Sequence, residues 1–153
     1  MTWPSAVAVE RWMVGFRVLG PVGCLPRPIQ IAREKILDPA YRLEGRDRQT
    51  LPHCTFQYTL SGTGIFRENG REHTIGKGTG FLNVAADPHT AYYYPEKGTE
   101  PWEVLYIAFR GARNVVEEMI DEMGHLYEVS LENAFLQELE AYQSHSDMLV
   151  NVS

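Results

Sequence analysis

Short runs of alternating apolar and polar residues, separated by glycines, extend from residue 53 to residue 109. Asn69-Gly70 is the strongest hairpin signal among them, because a type I′ turn needs positive φ at both central residues. The strands predicted in this region cover 65–68, 72–75, 81–84 and 102–109. Strands this short and this evenly spaced predict an antiparallel barrel or sandwich.

Residues 51–60 form another predicted strand, with a different chemistry on each face. Its apolar face consists of Pro52, Cys54, Phe56, Tyr58 and Leu60. Its polar face consists of His53, Thr55, Gln57 and Thr59. The polar face either meets solvent or lines a cavity inside a barrel, in which case the apolar face packs outward beneath helices. Residues 102–109 are apolar on both faces, as expected for a strand that is covered on both sides.

The period of the apolar residues changes after Ala112. Residues 115–123 show the three- and four-residue spacing of an amphipathic helix, and Gly124 is a stop signal. We interpret 125–130 as a connector. A second helix is predicted from an apolar stripe at Leu131, Phe135, Leu139 and Tyr142.

The first 50 residues carry weaker signals. Strands are predicted over 6–9 and 12–18, with Gly15 as a bulge, and a short strand over 41–43. Turns are predicted at Gly20-Pro21 and across 26–28. Farther along the chain, we interpret 92–101 as a loop over the rim of a pocket.

Composition and charge narrow the classes of function. A chain of 153 residues with 44% hydrophobic residues is expected to form one domain with a real core. All 14 Lys and Arg precede residue 114, and the acidic remainder would repel a phosphate backbone. This chain is therefore not expected to bind DNA. Cys24 and Cys54 lack metal or redox spacing, and no signal peptide or membrane-length apolar run is evident, so we predict a cytoplasmic protein.

The ordered series of glycine-rich motifs resembles the N-terminal effector-binding domain of AraC-type transcription regulators. The matching motifs are Leu60-Ser-Gly-Thr-Gly64, Asn69-Gly-Arg-Glu72, Gly78-Thr-Gly-Phe-Leu82, Pro88-His89 and Trp102 through Gly111. The resemblance implies a mainly β fold, an antiparallel jelly-roll (cupin-like) barrel over 1–111. Two or three C-terminal α-helices over 112–153 would form a helical dimerisation segment of the same domain. The DNA-binding helix-turn-helix part of such regulators is absent from this chain.

Metal chemistry has little support in the sequence. Cupin enzymes hold a metal with two histidines and a carboxylate on one strand and a third histidine on a later strand. His89 matches the later position, but Leu51 and Thr55 stand where the first ligand and the carboxylate would be. We expect no metal, no cofactor and no catalytic residue, although His53 and His89 could bind an adventitious metal. The alternatives are a free-standing cupin enzyme, such as a metal-dependent isomerase or dioxygenase, and a structural cupin.

What remains is a binding pocket for a small polar effector, with a sugar or sugar derivative favoured. The residues predicted to bind it are Arg48, Thr55, Gln57, Thr59, His89, Tyr92, Trp102 and Tyr106. Arg48 enters through the resemblance, since sugar-binding members hold hydroxyls with an arginine near this point, and Arg46 is the alternative. Arabinose-binding members have a Trp in place of Tyr106 and a His in place of Val104, which leaves the ligand class open. Trp102 fits a core aromatic better than a ligand contact.

The second helix suggests how the chain associates. Its stripe of Leu131, Phe135, Leu139 and Tyr142 either covers the barrel edge or pairs two chains. AraC-type domains commonly pair through their C-terminal helices, so the resemblance favours a homodimer. We expect any contact with DNA to be made through a domain missing from this chain, and we expect no interaction with a membrane.

Overall fold

A computed structural model describes residues 7–19, 25–145 and 148–151. Three predictions, those for Ala6, Gly20-Pro21 and Cys24, lie outside these residues. The strands are β1 Ala8–Leu19, β2 Arg27–Ile36, β3 Arg42–Glu44, β4 Cys54–Ser61, β5 Gly64–Glu68, β6 Arg71–Ile75, β7 Thr79–Val84, β8 Thr90–Tyr93, β9 Trp102–Arg110, β10 Leu126–Glu128 and β11 Met148–Asn151. The helices are α1 Arg113–Met123 and α2 Ala134–Ala141, and short 3₁₀ turns span Gly45–Asp47 and Tyr142–Ser144.

The strands form two sheets. The larger has the order β10-β7-β4-β9-β2-β1-β11 and the smaller the order β3-β8-β5-β6. Neighbouring strands run antiparallel, apart from β11, which lies parallel to β1 at the sheet edge. The predicted mainly β architecture with antiparallel sheets and two C-terminal helices is confirmed.

The Asn69-Gly70 hairpin forms as predicted. Asn69 has φ 48° and Gly70 has φ 79°, the left-handed values that a type I′ turn requires. The turn aligns Glu68 with Arg71 and continues the β5–β6 pairing as far as Gly64 and Ile75. The β5–β6 pair of the smaller sheet thus obtains its register from one local sequence signal.

One end of the space between the two sheets is filled by an apolar cluster. Its members are Ile36, Tyr41, Leu43, Phe66, Ile75, Phe81, Tyr92, Tyr94, Trp102 and Val104. Gly64 makes room for the Trp102 ring, since a Cβ on Gly64 would lie 2.2 Å from it. This end of the fold is therefore closed by close packing.

The two helices cover the outer face of the larger sheet. Leu136 and Leu139 of α2 pack on Tyr58 and Leu105, whereas Val116 of α1 packs on the cluster that contains Cys54. Each fully buried leucine contributes about 1.5–3 kcal/mol to stability. Because the apolar face of β4 meets helices, its polar face points between the sheets, as the cavity interpretation required.

Several predicted boundaries were wrong. Strand β2 includes Pro28, which we assigned to a turn. The strand tolerates this proline because it lies near its start, beside an irregular step in the β2–β9 register. Strand β1 is continuous, and its irregularity lies between Ala8 and Glu10, not at Gly15.

The C-terminal part also differs from the prediction. The predicted connector contains β10, which pairs with β7, and the predicted loop over 92–101 begins inside β8. Helix α2 begins after its N-cap Asn133, whose side chain accepts a hydrogen bond from the Phe135 amide. Leu131 therefore precedes the helix. No helix among the described residues is long and apolar enough to cross a membrane.

Candidate functional site

The polar face of β4 lies inside the fold. The exposed fraction is 1% for His53, 3% for Thr55, 2% for Gln57 and 1% for Thr59. Cross-strand pairing places Thr55 beside Asn83 of β7 and Ala108 of β9, and Ala108 beside Gln30 of β2. Neutral hydrogen-bonding groups therefore line part of the interior, next to Phe81 and Tyr41 of the apolar cluster.

Arg48 joins this interior from the 3₁₀ turn that follows β3. The turn packs closely on the backbone of Asp87, because Gly45 has no side chain and a Cβ there would lie 1.7 Å from the Asp87 carbonyl oxygen. The Nη1 of Arg48 donates to the Tyr92 hydroxyl at 3.0 Å, and its Nη2 lies 3.3 Å from Nε2 of His53. Arg48 is thus half-buried beside His53 and Tyr92, whereas Arg46 is exposed.

The contact with Arg48 assigns the tautomer of His53. A guanidinium group only donates hydrogen bonds, so Nε2 of His53 must accept and the proton is carried by Nδ1. Burial, together with the positive charges of Arg48 and Arg110, lowers the pKa of His53 to about 4. His53 is therefore neutral at physiological pH.

The side chains of Thr55 and Gln57 make few hydrogen bonds within the described part of the protein. Thr55 Oγ1 is buried and has no hydrogen-bond partner within the described part of the chain. The Nε2 of Gln57 reaches the Tyr41 hydroxyl at 3.5 Å, at the limit for a hydrogen bond. Since buried polar groups are nearly always paired, Thr55 Oγ1 is an exception among the described residues.

Tyr106 and Glu34 form a second polar group on the same inner face. The Tyr106 hydroxyl donates to Oε1 of Gln30 at 2.9 Å, and burial raises the pKa of Tyr106. Glu34 is 0% exposed, and burial raises the pKa of its carboxyl group to about 7. The nearby Tyr106 hydroxyl and Arg11 partly oppose this rise in pKa because they favour the charged form.

Three predicted ligand-binding residues have other positions or contacts. Trp102 is 0% exposed, lies edge-on to Tyr41 at 5.9 Å, and donates from Nε1 to Thr59 Oγ1 at 2.9 Å. Trp102 is therefore part of the apolar cluster, and the hydroxyl of Thr59 accepts the hydrogen bond from its indole. His89 is exposed on the turn before β8, where its amide donates to Asp87 Oδ1, so it is not brought into the interior.

The sequence prediction omitted several residues of the interior. They are Gln30, Glu34, Tyr41, Asn83 and Thr90, together with His53, which was placed on the polar face of its strand but not among the ligand-binding residues. Thr90 donates to Oδ1 of Asn83 at 3.0 Å and so connects the two sheets. For Gln30 and Glu34, the missing signal was a predicted strand over 30–36. The prolines just before this segment indicated a turn instead.

The described residues contain no group of three or more His, Cys, Asp or Glu side chains that could hold a metal ion. His53 is buried, whereas His89 is exposed. Cys54 is a buried free thiol, and burial raises its pKa to about 11. The thiol therefore stays protonated at neutral pH.

Residues 37–147 match the family model of the AraC-like ligand binding domain. The chain belongs to this family. The match covers most of the chain, including the Arg48 turn, the polar face of β4 and both helices. The AraC-like domain predicted from the motifs is thereby confirmed, together with its cupin-like two-sheet architecture. No curated protein matches the chain.

Solved structures similar to this AraC-like domain share low identity with it. A putative sugar phosphate isomerase from Acidithiobacillus ferrooxidans has a TM-score of 0.40 and 21% identity, over 55% of this chain and 51% of that chain. The YhaK protein from Escherichia coli has a TM-score of 0.49 and 15% identity, over 66% and 44%. This chain spans about half the length of these two proteins. A protein with a cupin-like fold from Ralstonia eutropha has a TM-score of 0.38 and 15% identity, over 84% and 87%.

Proposed function

We propose that this chain is the effector-sensing and dimerisation domain of a cytoplasmic AraC-type transcription regulator. The effector is a small polar molecule, with a sugar or sugar derivative favoured, and it binds between the two sheets. Contact with DNA is made through a domain that is not part of this sequence. The observation that carries the proposal is the buried, unpaired Thr55 Oγ1 beside Gln57, inside a domain of the AraC-like ligand-binding family.

The chemistry of the interior supports a neutral, hydroxyl-rich ligand. Gln30, Thr55, Gln57 and Asn83 offer amide and hydroxyl groups, and the phenol rings of Tyr92 and Tyr106 offer apolar faces. Arg48 retains guanidinium N–H groups beyond the two that contact Tyr92 and His53, because a guanidinium carries five. Such a mixture of amide, hydroxyl, guanidinium and aromatic groups is suited to a sugar ring.

A thermal-shift screen tests the proposal. The chain is heated with aldopentoses, aldohexoses, glycosides, organic acids and amines at millimolar concentration, and a ligand that binds the native state raises the melting temperature. We expect a sugar or glycoside to stabilise the wild type and a Thr55→Val variant to respond less. Stabilisation by a non-carbohydrate class alone would reject the sugar preference but not the sensing role.

The surface available for dimerisation is smaller than the predicted stripe of Leu131, Phe135, Leu139 and Tyr142. Leu139 is 4% exposed and packs on its own sheet, whereas Leu131 and Phe135 are 40% and 48% exposed. Tyr142 is half-buried, with its ring 5.5 Å from that of Phe16. A two-fold contact would therefore be centred on Phe135, at the mouth of an apolar groove of about 390 Å³ between α2 and the sheet.

A further inference from the structure

Glu34 is a fully buried acidic side chain, and neither of its carboxylate oxygens has a hydrogen-bond partner among the described residues. It lies on β2 directly opposite Val104, which belongs to the apolar cluster between the sheets, so its side chain shares that inner face. Both carboxylate oxygens are inaccessible to solvent and lie beyond bonding distance of every donor among the described residues, including the Tyr106 hydroxyl that favours their charged form. A carboxylate in this position is strongly disfavoured unless a partner supplies donors to both oxygens.

The groups around Glu34 restrict what that partner can be. The Tyr106 hydroxyl donates to Gln30, and the Tyr41 hydroxyl lies at the limit of hydrogen-bond distance from Gln57. Arg11 is the cross-strand neighbour of Glu34 on β1, and it already places a positive charge near the carboxyl group. A cationic ligand would be repelled by Arg11, whereas neutral hydroxyl groups would not.

We propose that Glu34 selects the effector by accepting hydrogen bonds from two adjacent hydroxyl groups, one at each carboxylate oxygen. The ligand class is a polyol or sugar with a vicinal diol, because two neighbouring hydroxyls match the spacing of the two oxygens. This inference rests on the proposed function and assigns the specificity of the same interior site to a residue on β2. A ligand that lacks either hydroxyl would leave a buried oxygen unpaired.

Isothermal titration calorimetry tests the assignment with the sugar that gives the largest thermal shift and with its monodeoxy analogues. Glu34→Gln keeps the shape of the side chain but replaces one acceptor with a donor, and Glu34→Asp keeps the charge but withdraws it by one methylene. Glu118→Gln, at an exposed position of α1, is the matched control. We expect affinity to fall at least tenfold in both Glu34 variants, and to be unchanged in the control.

The deoxy analogues and the pH dependence separate recognition from a structural role. Two analogues, each lacking one hydroxyl of a vicinal pair, should bind wild type at least tenfold more weakly but bind Glu34→Gln with little further loss. Affinity for the parent sugar should rise between pH 6 and pH 8 in wild type and stay flat in Glu34→Gln. In the part of the chain that the structure describes, the charged or titratable groups that act on Glu34 are Arg11, Tyr41 and Tyr106, and burial raises the pKa of both tyrosines away from this range.

Each outcome gives a decision. If wild type binds a sugar and both Glu34 variants bind it equally well, Glu34 is not the selecting residue and sugar sensing stands. If an amine or a ligand without a vicinal diol is the tightest binder, the inference is overturned and the sensing role stands. If no compound of the panel binds a folded wild-type chain, both the inference and the sugar preference are rejected.

Discussion

Arg48 lies with Nη2 3.3 Å from Nε2 of His53, a contact that connects the 3₁₀ turn after β3 to the polar face of β4. Because the guanidinium can only donate, the buried imidazole must be neutral and protonated on Nδ1. The same arginine donates to Tyr92 of the smaller sheet. Arg48 therefore fixes the tautomer of His53, adds to the effect of burial in keeping that imidazole neutral, and links the two sheets through Tyr92.

Gln57→Leu should weaken binding of a small polar effector by about 1–3 kcal/mol, because a ligand hydroxyl would lose its partner. The side chain has one marginal contact, with Tyr41, so folding should survive. Calorimetric titration of the best thermal-shift ligand measures the effect. Gln137→Leu on the exposed side of α2 is the control. Equal affinities for wild type and Gln57→Leu would remove Gln57 from the site.

His53 should make the fold less stable in acid. Its pKa is about 4 in the folded chain and near 6.5 when unfolded, so the unfolded state binds more protons between these values. Stability contributed by the neutral imidazole is complete above pH 6.5 and is lost as pH falls towards 4. Urea unfolding of His53→Gln should lack this loss, which is on the order of 2 kcal/mol in wild type. A wild type and a variant with the same slope from pH 7 to pH 4 would contradict the neutral, buried His53.

Glu34 should make the fold less stable as the pH rises, the opposite of the effect of His53. Its pKa of about 7 in the folded chain exceeds the unfolded value of 4.5, so the folded state binds more protons between these values. Its contribution is complete below pH 4.5 and is lost as pH rises through 7. Glu34→Gln should therefore gain stability relative to wild type at pH 8 but not at pH 4.5, measured by urea unfolding without ligand. An unchanged difference at the two pH values would show that Glu34 is solvated.

Substitutions of Phe135 and Leu139 should have different effects, the first on dimerisation and the second on folding stability. Leu139→Ala should cost about 2–5 kcal/mol of stability, because the side chain is buried on its own sheet. Phe135→Glu should leave the β signal in circular dichroism unchanged and shift light scattering from dimer to monomer at tens of micromolar. Monomeric wild type at every salt concentration would reject the dimer. An equal effect of both substitutions on unfolding would show that Phe135 is also a packing residue.

Gly64→Ala should disturb the closed end of the fold. A Cβ at Gly64 would lie 2.2 Å from the Trp102 ring, so the indole must shift and loosen its hydrogen bond to Thr59. Lower stability and altered tryptophan fluorescence are expected. Gly76→Ala is the matched control, because a Cβ there meets nothing within 4 Å. Identical unfolding curves for the two variants would contradict the close packing of Trp102.

The sequence predicted those features that depend on local pattern. The hairpin at Asn69-Gly70 and the inward polar face of β4 follow from turn chemistry and from alternation, and both appear in the structure. Strand β2 was missed because Pro26 and Pro28 signal a turn, although Pro28 is accommodated at an irregular step of the sheet. The place of Glu34 on the inner face of β2 was hidden for the same reason.

Other features depend on contacts that no local pattern encodes. The bond from Trp102 to Thr59 joins residues 43 positions apart, and it turns two predicted ligand contacts into part of the packed end. Leu139 belonged to a stripe with two possible roles, and the tertiary fold buries it on the sheet of its own chain. His89 matched a family position by spacing, but the turn at Asp87 leaves it exposed.

A crystal structure of this chain with the compound that most raises its melting temperature tests the central claim most directly. The predicted result is a small polar molecule between the two sheets, within hydrogen-bond distance of Thr55 Oγ1 and Gln57. The contradicting result is a compound held outside the sheets, for example in the groove beside Phe135, with Thr55 Oγ1 still unpaired.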